Sequence, residues 1–293
     1  MSLRAKGSVA ASGGAAGTAV LDTAVTGAQA PCLPFVAALV PRERARTAIR
    51  AALPRRRARL LLVRSAAELA ETLRTTLTDA VIVDIGTSGE ETDCALGLAR
   101  EFPSMPFVGI APLRGTDGPA LAAAAAHDFA DVVPEGVDDA VFRALLVPMM
   151  FSTRFASALW NPPPTLGLGA PLQQSAWRSV IARGGRPIRT SELAATLGVT
   201  REHLSRSFAS AGAPNLKRVI DLVRLLAAAE LSKNPGYDVR DVARVLGFAS
   251  ASHLSSTAQR IVGTKPASLA RLRAVDLVDR FGQGRGRSRA AGD

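Results

Sequence analysis

The sequence has little of what would mark a secreted, membrane-bound or catalytic protein. Two cysteines in 293 residues, Cys32 and Cys94, give no disulfide framework and no metal-ligand spacing, so a reducing cytoplasm is the simpler compartment. No apolar run approaches the roughly 20 residues a membrane span needs. Residues 1–30 open with Arg4 and Lys6 and close on Ala28-Gln29-Ala30. Their Gly/Ala/Thr-rich middle, broken by Asp22, makes a poor signal-peptide core, so they read as a disordered tail and secretion is not expected. There is no nucleophile elbow, phosphate loop or paired-carboxylate constellation, so no catalysis, no metal and no cofactor is expected. Aromatic residues are only 4% of the chain, which reflects an Ala/Arg-rich sequence; the 47% hydrophobic share is ample for burial.

What is present is charge in one place and a motif that occurs twice. The length suits two domains of ordinary size. The net charge of +11 is uneven: residues 1–150 hold 15 Lys and Arg against 16 Asp and Glu, whereas residues 151–293 hold 21 against 9. Charge confined to one half points to a polyanionic partner, bound by counterion release from phosphate. Within that half, Leu193-Ala194, Leu197-Gly198 and His203-Leu204-Ser205 return as Val242-Ala243, Leu246-Gly247 and His253-Leu254-Ser255. The spacing is 49 at the alanines and 50 at the histidines, so the second turn is one residue longer. Each copy reads as a helix-turn-helix: alanine where two helices cross closely, glycine where the chain turns with φ > 0, then a second helix anchored by leucine.

The second helix of each unit is the one expected in a DNA major groove. In the first unit it starts after Thr200, a suitable N-cap. Leu204 and Phe208 point inward, leaving Arg201, Glu202, Ser205 and Arg206 outward. Arg206 is the strongest base-reading candidate, since a guanidinium can bond guanine O6 and N7 together. The outward face of the second unit is Ala251, Ser252, Ser255 and Ser256, short side chains that reach bases weakly. Thr200, Lys217, Arg218, Arg224, Arg260, Lys265 and Arg271 are candidate phosphate contacts. His203 and His253 stand at matching places, but on separate units and without a third ligand nearby, so they read as polar fillers and not as metal ligands.

Between residues 31 and 151 the pattern is different. Near-continuous apolar runs at Phe35–Val40, Leu60–Val63, Ala80–Val83, Pro106–Ala111 and Phe129–Val133 alternate with helical stretches, closed by Asp138–Met150. Five βα units predict a doubly wound α/β domain around a parallel sheet. Residues 152–172, with Pro162-Pro163-Pro164 and the glycines to Gly169, read as a stiff-then-flexible linker. An all-α region follows over 173–281, including a long helix from near Pro214 that joins the two units. Residues 282–293 read as a disordered basic tail. No apolar heptad stands out as a zipper, although Asp138–Met150 and the segment after it are candidates for pairing two copies.

Residues from about 173 to 275 resemble the DNA-binding domain of AraC/XylS-type transcription regulators. The resemblance rests on LAATLGVTREHLSRSF, LKRVIDLVRLLAAAELSKN and VARVLGFASASHLSSTAQRIVGTKPASLARLR, most closely around Gly247-Phe248 and Gly263 to Pro266. It implies promoter DNA as partner, with RNA polymerase at the same promoters, and supports Glu202, Ser205 and Arg206 as base-facing. The chain departs from the family at Ser256 and Ala258, where members often carry arginine and phenylalanine.

The N-terminal domain resembles a response-regulator receiver, chiefly in RLLLVRSAAELAETLRTTLTDAVIVDIG, a flavodoxin-like arrangement. The resemblance places Asp84 where receivers accept a phosphoryl group. The companion chemistry is missing: the Mg²⁺-holding acids after the first strand are replaced by Pro41 and Arg42, the fourth-strand hydroxyl by Ala111, and the fifth-strand lysine by Glu135 or Pro134. Asp84 is therefore expected to cap backbone N–H groups in a pseudo-receiver serving dimerisation, partner contact or sensing. Three other readings stand beside it: a true phospho-switch, a sequence-tolerant architectural DNA-binding protein, and an enzyme using the α/β crevice.

Overall fold

The computed structural model describes residues 32–209 and 213–290, the stretch from 284 as backbone only. The tail expected at 1–30 lies outside the described residues. The first half alternates β1 (Phe35–Leu39), α1 (Glu43–Ala52), β2 (Arg59–Val63), α2 (Ala66–Thr75), β3 (Ala80–Asp84), α3 (Glu90–Glu101), β4 (Phe107–Ala111), α4 (Gly118–Ala126), β5 (Asp131–Pro134) and α5 (Asp139–Met149). The strands form one sheet in the order β2-β1-β3-β4-β5, and every pair is parallel. That order is the flavodoxin-like one, in which ligands sit outside the carboxyl ends of the strands.

The apolar runs form strands because both faces of the sheet are covered. Along β1, Val36, Ala38 and Val40 face one core with α1 and α5, and Ala37 and Leu39 face the other with α2 and α3, the two-residue alternation of a pleated strand. All five residues of β3 and all five of β4 are buried. Each Val, Leu, Ile or Phe so buried is worth about 1.5–3 kcal/mol.

The second half is helical: α6 (Phe151–Ala158), α7 (Pro171–Ile181), α8 (Thr190–Thr196), α9 (Arg201–Ala209), α10 (Leu216–Leu231), α11 (Val239–Val245), α12 (Ala251–Val262) and α13 (Ala274–Ala290). Helix α10 is buried along most of its 16 residues. It begins after Pro214, at Leu216, because the Asn215 side chain accepts the Lys217 N–H at 2.9 Å and caps it.

The segment 152–172, expected to be a stiff-then-flexible linker, is largely structured. Phe151 and Phe155, four residues apart on α6, are buried and stacked with centroids 5.9 Å apart. The Trp177 indole N–H donates to the Leu159 carbonyl at 2.7 Å, and Leu166 and Leu168 are buried beyond the proline run. Nor does the chain leave helix at 281. Helix α13 runs on to Ala290.

The two halves share one core, which runs from α2 and α3 into α7, α10 and α11. Tyr237, 9% exposed, donates its hydroxyl to the Leu73 carbonyl at 2.9 Å and meets Phe102 edge-on at 4.9 Å. The Gly236 N–H donates to the Glu101 carbonyl, and a Cβ there would stand 2.6 Å from the Phe102 ring. The Ser104 N–H donates to the buried Asn234 Oδ1 at 2.7 Å. Asp79, fully buried just before β3, accepts from Arg186 at 2.6 Å, from the Phe35 N–H at 2.7 Å and from the Ser152 N–H at 3.1 Å. All of these contacts lie at the amino end of the strands, opposite the end that carries Asp84.

Candidate nucleic-acid interface

The two units repeat the same local geometry. Gly198 and Gly247 turn the chain at φ 67° and 66°, a conformation costly for residues with a Cβ. Ala194 and Ala243 are buried where the helices cross. The hydroxyls of Thr200 and Ser250 accept the N–H groups of His203 and His253 at 3.1 and 3.0 Å, capping α9 and α12 alike.

The outer faces then differ. On α9, Leu204 and Phe208 are buried, and Arg201, Glu202, Ser205 and Arg206 are all exposed. On α12, Leu254, Ala258 and Ile261 are buried. Ser252 and Ser256 are exposed there, and Ser255 is half-buried. The Ser256 hydroxyl donates back to the His253 carbonyl at 3.1 Å, so its proton is held within the helix. His253 turns Nδ1 to the Ala249 N–H at 3.3 Å and its ring edge-on to Phe248. Among the described residues no three metal-ligating side chains come together.

The basic side chains separate into distinct environments. Arg201 and Lys217 line one groove of about 400 Å³ with Arg189, Thr190 and Asp221, which brings first-unit and connecting-helix cations together. Arg189 was not singled out by the sequence. Arg218 faces the other way, its guanidinium 5.3 Å over Phe281 of α13. Arg260, half exposed, bonds the buried Asp221 at 2.8 Å. Arg224 lies 3.9 Å over Phe248 and donates to the Leu246 carbonyl, tying α10 to the second turn. Burial lowers its pKa, against the opposing pull of Asp221. Lys265 and Arg271 are exposed at the two ends of the Pro266–Arg271 turn.

At the carboxyl end of the sheet, Asp84 does cap a backbone group: its Oδ1 accepts the Gly86 N–H at 3.1 Å. Its main partner is one the sequence did not reveal. The Arg42 guanidinium grips it through Nε at 2.9 and 3.0 Å and through a terminal nitrogen at 2.6 Å. The same guanidinium bonds Glu135, which also takes Arg44 at 2.9 Å. The Asp84 and Glu135 side chains are almost wholly buried. Desolvation pulls the Arg42 pKa down, but the hydrogen bonds and charges of the two carboxylates outweigh it and hold it above its ordinary value. The signal was a pair of opposite changes: an arginine where receivers place acids, and an acid where they place lysine.

A family described as a helix-turn-helix domain matches residues 193–271, a span that takes in both units. No curated protein matches the chain. Solved structures similar to it include the signal receiver domain of an HD domain-containing protein from Pseudomonas fluorescens Pf-5, at 16% identity over 40% of this chain and 94% of that one (TM-score 0.36). Full-length FixJ from B. japonicum is 11% identical over 64% and 94% (TM-score 0.36). RcsB from Salmonella enterica serovar Typhimurium, bound to promoter rprA, is 15% identical over 64% and 97% (TM-score 0.32). Residues 193–271 thus match an AraC-type helix-turn-helix domain, and they follow an α/β domain whose strand order is the flavodoxin-like one.

Proposed function

We propose that the chain is a sequence-specific transcription regulator that binds promoter DNA and performs no catalysis. The observation that carries the reading is the outer face of α9. Four polar side chains stand exposed on a capped helix whose other face is locked by Leu204 and Phe208. Arg201, Glu202, Ser205 and Arg206 read bases there. Ser252, Ser255 and Ser256 on α12 contribute little discrimination, and Thr200, Lys217, Lys265, Arg218 and Arg260 act on phosphates or position the units. Connecting helix α10, about 24 Å long at its 16 residues, spaces the units for successive major grooves roughly 34 Å apart. The protein acts in the cytoplasm, alongside RNA polymerase. It pairs with a second copy through the α/β domain, where Val141 and Leu145 of α5 are exposed. Among the described residues no helix is long and apolar enough to cross a membrane.

The α/β domain acts without phosphorylation. What supports this is Arg42, which places one fixed positive charge between Asp84 and Glu135 where a phosphoryl acceptor would need a divalent ion. The position of Asp84 at the end of β3 favours the opposite reading, a phospho-switch. Mg²⁺-dependent labelling by acetyl phosphate that disappears in Asp84→Asn would establish the switch.

The DNA reading is tested by affinity selection of sheared genomic DNA with the full chain at two salt concentrations. A shared motif that persists at the higher salt supports it, and broad coverage that collapses with salt supports an architectural binder instead. On a selected site, Arg206→Ala weakens binding by about 1–3 kcal/mol and relaxes one base position. An equal loss of discrimination in Ser256→Ala would overturn the asymmetry between the units.

A further inference from the structure

The near-neutral balance of residues 1–150 hides a local excess: Arg42–Arg64 holds nine arginines and one acid, Glu43. Four of the nine have carboxylate partners, Arg42 and Arg44 on Asp84 and Glu135, Arg46 and Arg50 on Glu43. Arg55, Arg56, Arg57 and Arg59 are exposed, and among the described residues none of these four has an acidic partner. They occupy the turn between α1 and β2 and the first residue of β2, an edge strand. The turn is firmly held. The N–H groups of Arg57 and Ala58 donate to the Pro54 carbonyl at 2.7 and 3.2 Å, and Leu53 and Ala58 are buried beneath it. A trough of about 760 Å³ runs beside it, with Arg50, Arg55 and Arg59 along Leu60 and Leu62.

The position of this turn matters as much as its charge. The Arg59 N–H donates to the Pro34 carbonyl at 2.9 Å, and its guanidinium lies 5.6 Å over Phe35. Phe35 in turn donates to Asp79, the aspartate that holds Arg186 of the helical half. The arginine turn therefore lies at the end of the sheet to which the DNA-binding half is docked. Helix α2, which follows β2, packs on α11, the first helix of the second unit.

We infer that the Arg55–Arg59 turn is a second polyanion site. It grips the sugar–phosphate backbone of duplex DNA beyond the stretch held by the helix-turn-helix units, on the side of the second unit. The inference rests on the DNA-binding reading above. Four guanidinium groups without local counter-charge gather counterions, and duplex phosphates that displace those ions gain the entropy of their release. An acidic protein segment could satisfy the same charge. Duplex DNA is the occupant favoured here, because DNA held by the neighbouring domain is presented at high effective concentration.

The test compares the full chain with an Arg55→Ala/Arg56→Ala/Arg57→Ala variant on two duplexes. One carries only the genomically selected site, and the other adds about 20 base pairs on each side. The expected result is that wild type binds the longer duplex more tightly and that the variant loses this gain, about tenfold. Its log–log salt slope should also be shallower by about 2–3, with binding to the short duplex and the melting temperature unchanged. Equal affinities and slopes for the two proteins on the longer duplex overturn the inference and leave the DNA-binding reading standing. So does a variant that loses only the capture of an acidic peptide. A wild-type chain that binds neither duplex overturns both.

Discussion

Two buried aspartates, Asp79 and Asp84, stand at opposite ends of β3, and each is clasped by an arginine. At the carboxyl end the arginine is Arg42, from the same domain, and the result is a closed acidic crevice. At the amino end it is Arg186, from the helical half, and the result is a joint between domains. The chemistry is the same in both places: a carboxylate stripped of water, stabilised by a guanidinium and by backbone N–H groups. What differs is where the arginine comes from, and that alone turns one pair into a plug and the other into a fastening. A buried ion pair is weak evidence for stability but strong evidence for placement, since either partner alone is costly.

Of the two arginines, Arg186 is the harder to remove. Arg186→Met leaves Asp79 buried without its cation, and urea unfolding should show a loss of about 3–5 kcal/mol; a loss below 1 kcal/mol would mean the joint is not formed in solution. Arg42→Met should cost less than Arg186→Met. The Arg42 side chain is already a quarter exposed and Arg44 remains on Glu135. If Arg42→Met proves the more damaging in the same urea experiment, the closed crevice matters more to the fold than the joint does. Gly236→Ala disturbs the joint without touching charge. Its Cβ would collide with the Phe102 ring, and over-packing of this kind costs about 1–3 kcal/mol. Faster proteolysis between the halves, with the α/β domain intact, is the expected signature.

The smallest effect concerns pH. Tyr237 is the chain's one tyrosine, and burial first, with Asp241 nearby, pushes its pKa up, against a smaller opposing effect of Arg74. A phenol whose pKa is raised in the folded state costs nothing while pH stays below the unfolded value of about 10. Stability then falls as pH climbs beyond it. Absorbance at 295 nm should show the phenolate appearing late, together with loss of the interface. Ionisation near pH 10 with the fold intact would place Tyr237 in water and refute the packed joint.

The sequence disclosed most of each half and little of how they meet. The strands were legible because residues such as Ala80–Val83 are buried on both faces and so leave unbroken apolar runs. The two units were legible because a tight turn and a close crossing restrict residue type at Ala194, Gly198, Ala243 and Gly247. The joint was not, because its pairs are 73 to 164 residues apart in the chain, and Tyr237, Phe102 and Asn234 look like ordinary helix-end residues. Helix α6 was obscured by the proline run that follows it. At Asp84, absence could be read: the missing acids and lysine argued against receiver chemistry. The replacement could not, because Arg42 and Glu135 become partners only when β1 and β5 bring their carboxyl ends to the same edge of the sheet.

Strand β3 has a mechanical consequence. It is hydrogen-bonded to a neighbour on each side and covered on both faces, and the five-residue step from Asp79 to Asp84 spans about 17 Å. With no slack in the strand and none in the packed segment after α5, the α/β domain behaves as a strut and not as a tether.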